Sequence, residues 1–249
     1  MVMLGIIGGS GLDSPDLVQD GEKIAVETPY GTPSSRITRG RINGVEAALL
    51  ARHGTRHQFP PSQVNYRANI HALKQAGATH IVATTACGSL REEIDRGHFV
   101  IPDQFIDFTR HRQITFFDSF EEGAKHTPMA DPFDEYLRKL LIEASREAGL
   151  PTHDKGTVIT IEGPRFSTRA ESRMFRSWGG DIINMSIAPE AVLANEAEIP
   201  YAAVAMSTDY DCWKTDEQPV TWDEIVEVFR KNAENMLKVL AAVAGKMAG

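Results

Sequence analysis

Two aspartates spaced two apart, at the end of an apolar run, are the residues of this chain best suited to acid–base chemistry. The run Ala202 to Met206 leads straight into Ser207-Thr-Asp-Tyr-Asp-Cys-Trp213. In an extended segment Asp209 and Asp211 share one face and Tyr210 takes the other. Two like charges held that close resist ionising together, so one pKa rises and a neutral, proton-donating aspartic acid becomes available near pH 7. Such a pair can protonate a leaving group. The same residues also fit a solvated turn or the N-cap of a following helix, and taken alone the segment favours that reading.

Three further strand ends carry groups suited to an anion. The apolar run Leu4 to Ile7 enters Gly8-Gly9-Ser10-Gly11, a turn whose bare backbone lets N–H groups and the Ser10 hydroxyl approach a negative charge. It lacks the Gly-Lys-Ser/Thr of a nucleotide P-loop and the glycine spacing of a dinucleotide site. Ala47 to Ala51 ends in Arg52-His53-Gly54, a permanent cation beside an imidazole, and His80 to Thr84 ends in Thr85-Ala86-Cys87-Gly88-Ser89. His53 and His57 stand four apart, but Gly54 and Pro60-Pro61 argue for a loop, and with no third ligand a metal site is rejected. Cys87 has no paired histidine and reads as a small buried thiol; with Cys212 the only other cysteine, neither a disulfide framework nor a cysteine-based zinc site is expected.

The elements that must hold these groups alternate in type. Besides the runs already named, Val100 to Ile101, Thr157 to Ile161 and Asp181 to Asn184 read as strands. Ser62 to Gln75, Phe133 to Ala148, Arg169 to Trp178, Pro189 to Ala197 and Trp222 to Ala244 carry helix-spaced apolar residues. That alternation predicts an α/β fold with a sheet covered on both faces. Hairpin signals in Glu22 to Val45 make the sheet mixed, and Phe105 to Pro132 is a long, weakly periodic excursion of the kind that serves function or contacts another chain. No linker or repeat divides the chain, so residues 1–249 are taken as one domain. A net charge of −8 without a basic stripe argues against nucleic acid as the main ligand, so any anion site must be local. The N-terminal residues enter a strand pattern without a basic leader, and no apolar run reaches membrane-spanning length; a cytoplasmic protein is expected.

Seven segments, in order, resemble the trimeric purine nucleoside phosphorylase family. They are Gly8-Gly-Ser-Gly-Leu, Leu50-Ala-Arg-His-Gly, Val64-Asn-Tyr-Arg-Ala-Asn-Ile, Thr84-Thr-Ala-Cys-Gly-Ser-Leu-Arg-Glu-Glu, Gln104-Phe-Ile-Asp, Ile161-Glu-Gly-Pro-Arg-Phe-Ser and Thr208-Asp-Tyr-Asp-Cys-Trp. The resemblance covers nearly the whole chain. It implies a nucleoside phosphorylase-like mixed central β-sheet flanked by helices, a homotrimer, and cleavage of a purine nucleoside by inorganic phosphate without metal or organic cofactor.

Within that family, Ser167 after Phe166 and Asp209 in the base-reading loop replace the glutamate and asparagine of members that cleave 6-oxopurine nucleosides. An accepting carboxylate suits the N6 amino group of adenine and not the accepting O6 of hypoxanthine. Trp222 stands where other members place a histidine for the 5′-hydroxyl, with Ile225 one turn on, an apolar wall that suits a methylthio group. The implied reaction converts S-methyl-5′-thioadenosine and phosphate into adenine and 5-methylthioribose 1-phosphate. Methylthioinosine or adenosine as substrate, or a non-catalytic nucleoside-binding protein, are the alternatives.

Carried over residue by residue, the resemblance assigns phosphate to Ser10, Arg52, His53, Thr85, the Ala86 backbone and Ser186. Phe166, Asn184, Met185 and Thr208 fall to the nucleoside, with Asp209 at purine N7 and Asp211 at N6. His126, in the long excursion, is expected to enter a neighbouring subunit's 5′ pocket. A neutral Asp209 at pH 7 needs its pKa raised from about 3.9 to about 7, roughly 4 kcal/mol, which burial and Asp211 must supply together. A smaller shift suffices if the proton is shared only as N7 becomes basic.

Overall fold

The computed structural model describes residues 2–9, 17–121, 123–216 and 221–248, the side chains at 222–226, 229 and 231 excepted. The described strands are β1 (Met3–Gly8), β2 (Gln19–Ile24), β3 (Ile37–Ile42), β4 (Val45–Ala51), β5 (His80–Ser89), β6 (Phe99–Val100), β7 (Gln104–Phe108), β8 (Thr152–His153), β9 (Thr157–Ile161), β10 (Ile182–Asn184) and β11 (Tyr201–Asp209). The helices are α1 (Tyr66–Gln75), α2 (Glu135–Glu147), α3 (Arg169–Ser177), α4 (Ile187–Glu196) and α5 (Trp222–Met247). The sheet is mixed: β1 runs parallel to β4 and β5, and β11 parallel to β5, while β3 pairs antiparallel with β2 and β4. Its central path runs β2-β3-β4-β1-β5-β10-β9-β7.

Strand alternation sorts the core into two layers. Tyr201, Ala203 and Ala205 of β11 join Ile7, Leu50, Ile81 and Ala83 under α1 and α4, through Ile70, Leu73, Ile187 and Ala191. Ala202, Val204 and Met206 join Leu4, Ile6, Leu49 and Val82 under α2 and α5, through Leu137, Leu141, Met236 and Leu240. Both faces are therefore buried, which is why these strands read as continuous apolar runs. A third cluster, Leu90, Ile159, Ile161, Phe175 and Ile183, seats α3. Side chains cap the helix starts. Asn65 accepts from Ala68 N–H, Asp134 from Leu137 N–H, and Thr168 with Glu171 forms a reciprocal capping box. Edge strand β2 is exposed and charged, with Asp20, Glu22 and Lys23 discouraging pairing with another sheet.

Two expectations about elements need correction. The stretch from Phe105 is not an excursion at its start, because Gln104–Phe108 is a strand running parallel to β9; its hydrogen-bond partner is distant in sequence and leaves no local signal. The third predicted strand also continues five residues past Thr84, since β11 pairs with β5 as far as Gly88 and β10 pairs with Ser89. Among the described residues no helix is long and apolar enough to cross a membrane.

Candidate active site

The cavity forms where the sheet opens. On one edge of β5, β1 pairs with His80 to Ala83 and antiparallel β10 with Gly88 and Ser89, so the C-terminal ends of β1 and β10 approach each other across Thr84 to Cys87. A divergence of neighbouring strands at their C-terminal ends is where α/β sheets accept ligands. Here it creates a cavity of about 400 Å³ lined by Arg52, His53, Thr85, Ala86, Phe166, Asn184, Met185, Ser186, Thr208, Asp209 and Asp211. Of the residues singled out from sequence, Ser10 lies outside the described residues, as do the side chains of Trp222 and Ile225. His126 is exposed, does not line the cavity, and meets the Phe120 ring edge-on at 5.5 Å.

At one end stands Arg52, only 1% exposed. Its Nε and Nη2 donate to Glu190 Oε1 and Oε2 at 2.5 and 2.9 Å, and Nη1 donates to the Thr84 carbonyl at 2.8 Å. Three of the five guanidinium N–H groups are thus used within the protein, and two remain. Burial opposes the charge, but the Glu190 carboxylate more than offsets it and holds the Arg52 pKa above its ordinary value. Tyr201 OH donates to Glu190 Oε2 at 2.9 Å, fixing the carboxylate from behind. Gly9 is required here because a Cβ would lie 2.7 Å from the Thr84 carbonyl oxygen and 2.9 Å from Arg52 Nη1. The glycine that the sequence suggested for an anion also makes room for the arginine.

His53 adjoins Arg52 in the loop after β4. Its Nδ1 lies 2.8 Å from the Phe59 carbonyl, and the Phe59 N–H donates back to the His53 carbonyl at 3.0 Å. Burial and the Arg52 charge push the imidazole pKa down to about 4, so the ring is neutral at pH 7. His57 packs against it with ring centroids 4.6 Å apart. Both histidines lie in the loop that Gly54 implied, and among the described residues no cluster of three or more His, Cys, Asp or Glu is placed to hold a metal ion. Ser186 starts α4, and its hydroxyl makes no cap hydrogen bond. Asn184 reaches Thr85 Oγ1 at 3.4 Å and is held by Thr160 Oγ1, which donates to Asn184 Oδ1 at 2.9 Å.

At the other end both aspartates face the cavity, by a different geometry from the one expected. β11 ends at Asp209 after a bulge that shifts its register on β5 between Ser207 and Asp209, and Asp211 sits in a left-handed turn with φ 49°. The Asp211 N–H donates to Asp209 Oδ1 at 2.7 Å. This turn, not strand alternation, brings the second carboxylate round, while Tyr210 points away and donates to Asp95 Oδ1 at 3.0 Å. The Asp209 pKa is raised from 3.8 to about 6, chiefly by burial. The Thr208 hydroxyl at 2.7 Å and the Asp211 N–H oppose the rise, and the Asp211 charge adds only a lesser push. The like-charge effect is therefore secondary to desolvation. Burial raises Asp211 as well. The Ser172 and Ser167 hydroxyls beside its carboxylate act against that rise, although neither is close enough or aligned enough to form a well-made hydrogen bond. Cys87 is a buried free thiol whose pKa burial and Asp209 push up, which makes it a poor nucleophile.

Between the two ends lies Met185. Its carbonyl accepts from Tyr66 OH at 3.3 Å and Arg112 Nη1 at 3.2 Å, and Arg112 pairs with Glu162 at 2.8 Å. Glu190, Arg112 and Tyr66 thus support the site without having been assigned to it from sequence. For Glu190 a signal existed: α4 carries apolar residues on every side, so a carboxylate in it has no solvated face.

The model of the Phosphorylase superfamily matches residues 3–244, and the chain belongs to that family. It is 50% identical over 250 residues to S-methyl-5′-thioadenosine phosphorylase of Drosophila melanogaster, covering 99% of this chain and 86% of the relative. Among solved structures it is similar to methylthioadenosine phosphorylase from Schistosoma mansoni in complex with adenine, with a TM-score of 0.94, 43% identity, and coverage of 100% and 92% of the two chains. It is likewise similar to a single-substitution mutant of adenosine/methylthioadenosine phosphorylase from that organism in complex with methylthioadenosine, with a TM-score of 0.93, 42% identity, and the same coverage.

Proposed function

We propose that this chain, acting as one phosphorylase domain, converts S-methyl-5′-thioadenosine and inorganic phosphate into adenine and 5-methylthioribose 1-phosphate. The observation that carries this reading is one cavity with a buried arginine at one end and a buried carboxyl of raised pKa at the other. In the reaction, the bond from C1′ to purine N9 stretches, positive charge grows on the ribose and negative charge on the base. Phosphate held by Arg52, His53, Thr85, the Ala86 backbone, Ser186 and Ser10 stabilises the first. Asp209, donating a proton to N7, neutralises the second. Asp211 accepts from the N6 amino group, Phe166 stacks near the base, and Met185, Asn184 and Thr208 surround the nucleoside.

The proton count closes. A phosphate oxygen of HPO₄²⁻ bonds to C1′ as N9 departs, adenine leaves neutral with the Asp209 proton, and the new ester carries the phosphate's own hydrogen. When that ester ionises, one proton is returned for the one Asp209 gave. The reading calls for phosphate as co-substrate and for no metal or organic cofactor. It includes a homotrimer in which His126 enters a neighbour's 5′ pocket, with Trp222 and Ile225 forming that pocket's apolar wall.

The test is adenine release measured with and without phosphate. Methylthioadenosine should be cleaved only with phosphate, and methylthioinosine at least tenfold less efficiently. Nucleoside binding without turnover at any phosphate concentration refutes the enzymatic reading. Adenosine is the second substrate to measure, because the name of the Schistosoma relative includes it.

A further inference from the structure

We propose that His53 is a hydrogen-bond acceptor for the bound oxyanion, so that this site selects an anion that still carries a proton and discriminates phosphate from sulfate. The inference rests on the phosphate reading above. Its basis is the contact between His53 Nδ1 and the Phe59 carbonyl at 2.8 Å. A carbonyl oxygen has no hydrogen to give, so Nδ1 must carry the ring proton. The reciprocal bond from Phe59 N–H to the His53 carbonyl at 3.0 Å fixes the loop that presents this acceptor, so the tautomer is set by backbone geometry. In a neutral ring Nε2 is then a bare lone pair. Among the described residues no hydrogen bond is made to it, and the ring forms part of the cavity wall.

The groups facing the imidazole disfavour a second proton. Burial, Arg52, His57 and Arg112 all act to keep it neutral and together outweigh the Phe59 carbonyl, which favours the charged ring. Arg52 itself is compensated by Glu190 in a bidentate pair, so the arginine adds hydrogen-bond donors to the cradle with little net charge. Among the described residues the other groups at this end are two Arg52 N–H, the Ala86 N–H and the Thr85 and Ser186 hydroxyls, all able to donate, although the Thr85 hydroxyl donates to the Ala86 carbonyl at 2.8 Å here and must turn to reach an anion. The cradle therefore offers several donors and one obligatory acceptor.

That inventory fits HPO₄²⁻, which has ionised oxygens for the donors and one P–OH for His53 Nε2. Arsenate at neutral pH carries the same hydrogen. Sulfate has nearly the same size and the same charge but no hydrogen, so it would set an oxygen lone pair against the Nε2 lone pair. A buried polar group left unpaired in this way should weaken binding roughly 10- to 100-fold. The P–OH directed to His53 also leaves only ionised oxygens available to attack C1′.

Initial rates with phosphate and arsenate as co-substrates, and sulfate as competitor against phosphate, test the inference. The sulfate Ki should exceed the phosphate KM about 10- to 100-fold, with arsenate within a few-fold of phosphate. In His53→Lys, which replaces the acceptor with a donor, the gap should close to about threefold whatever happens to kcat. Thermal stabilisation by phosphate and by sulfate gives the same comparison in a variant that no longer turns over. A wild-type sulfate Ki within about threefold of the phosphate KM, or a gap that survives in His53→Lys, overturns the proposal. So does ¹⁵N NMR showing the proton on Nε2 in the free protein. If no adenine is released with phosphate, the functional reading fails; preferential stabilisation by phosphate over sulfate would still support the acceptor role.

Discussion

Asp209→Asn should lower activity and raise stability, and the pair of signs separates a proton donor from a structural hydrogen-bond acceptor. The folded protein holds the Asp209 proton to about pH 6, against 3.8 for an ordinary aspartate, and the residue is only 5% exposed. That difference corresponds to roughly 3 kcal/mol. For its sign, a raised carboxyl pKa means that the folded state binds the proton more tightly than the unfolded state. The penalty is absent below about pH 4, grows between pH 4 and 6, and is complete above pH 6. Asparagine removes it.

The gain is partly offset, because a carboxylate accepts from both the Thr208 hydroxyl and the Asp211 N–H, whereas an amide has one accepting oxygen. Losing one such bond costs about 1 kcal/mol, so the net gain at pH 7.5 is about 1–2 kcal/mol. For a domain of this size that is a rise in Tm of about 3–6 °C in ligand-free buffer, vanishing or reversing at pH 4.5. Removing leaving-group protonation should lower turnover of methylthioadenosine by about 10²- to 10⁴-fold. Scanning fluorimetry at the two pH values and an adenine-release assay read both effects. If Tm falls equally at both pH values, Asp209 is a structural acceptor. If turnover stays within a few-fold, it does not supply the N7 proton.

Other perturbations test the rest of the site. Glu190→Gln leaves Arg52 buried without its counter-charge and should destabilise the fold by about 3–5 kcal/mol; in surviving protein the phosphate KM should rise more than the nucleoside KM. An unchanged phosphate KM would disconnect Glu190 from the anion. Gly88→Ala brings a Cβ to 3.1 Å from Asp209 Oδ1 and 3.4 Å from Asp211 Cβ, so nucleoside turnover should drop about tenfold with phosphate binding retained. Phosphate titration calorimetry beside the kinetics would show it. His126→Ala should raise the methylthioadenosine KM without changing the molar mass measured by light scattering. If neither changes, His126 has no part in a neighbour's pocket.

The parts of this molecule written in local pattern were legible, and those depending on long-range pairing were not. Arg52 and Asp209 stand at strand ends and Thr85 inside β5, each where an apolar run gives way to polar residues, and the structure brings all three to one cavity. The convergence of Asp209 and Asp211 was foreseen for the wrong reason. The turn at Asp211 depends on a left-handed backbone angle, φ 49°, which aspartate tolerates better than most residues but which no spacing of residue types signals. Glu190 was missed because an acidic residue after a proline near a helix start resembles a solvated first turn; its burial is decided by the packing of α4 beside α1 on the sheet. Arg112 lies in the irregular stretch after β7, where no periodicity marks the one side chain that folds inward to Tyr66 and Glu162.

The opening along β5 has a further consequence. Thr85, at the anion end, and Gly88, beside the two aspartates, belong to a single strand, three residues apart. At the rise of an extended chain that is about 10 Å, so the strand acts as a ruler between the anion and the acid. Its length is a property of the backbone, and both neighbouring strands are anchored to it. Substitutions in the surrounding loops can alter what hangs from the sugar, but they cannot lengthen the interval between the two ends. Relatives built on the same strand should therefore differ in the group tolerated at the 5′ position while keeping the span from phosphate to base.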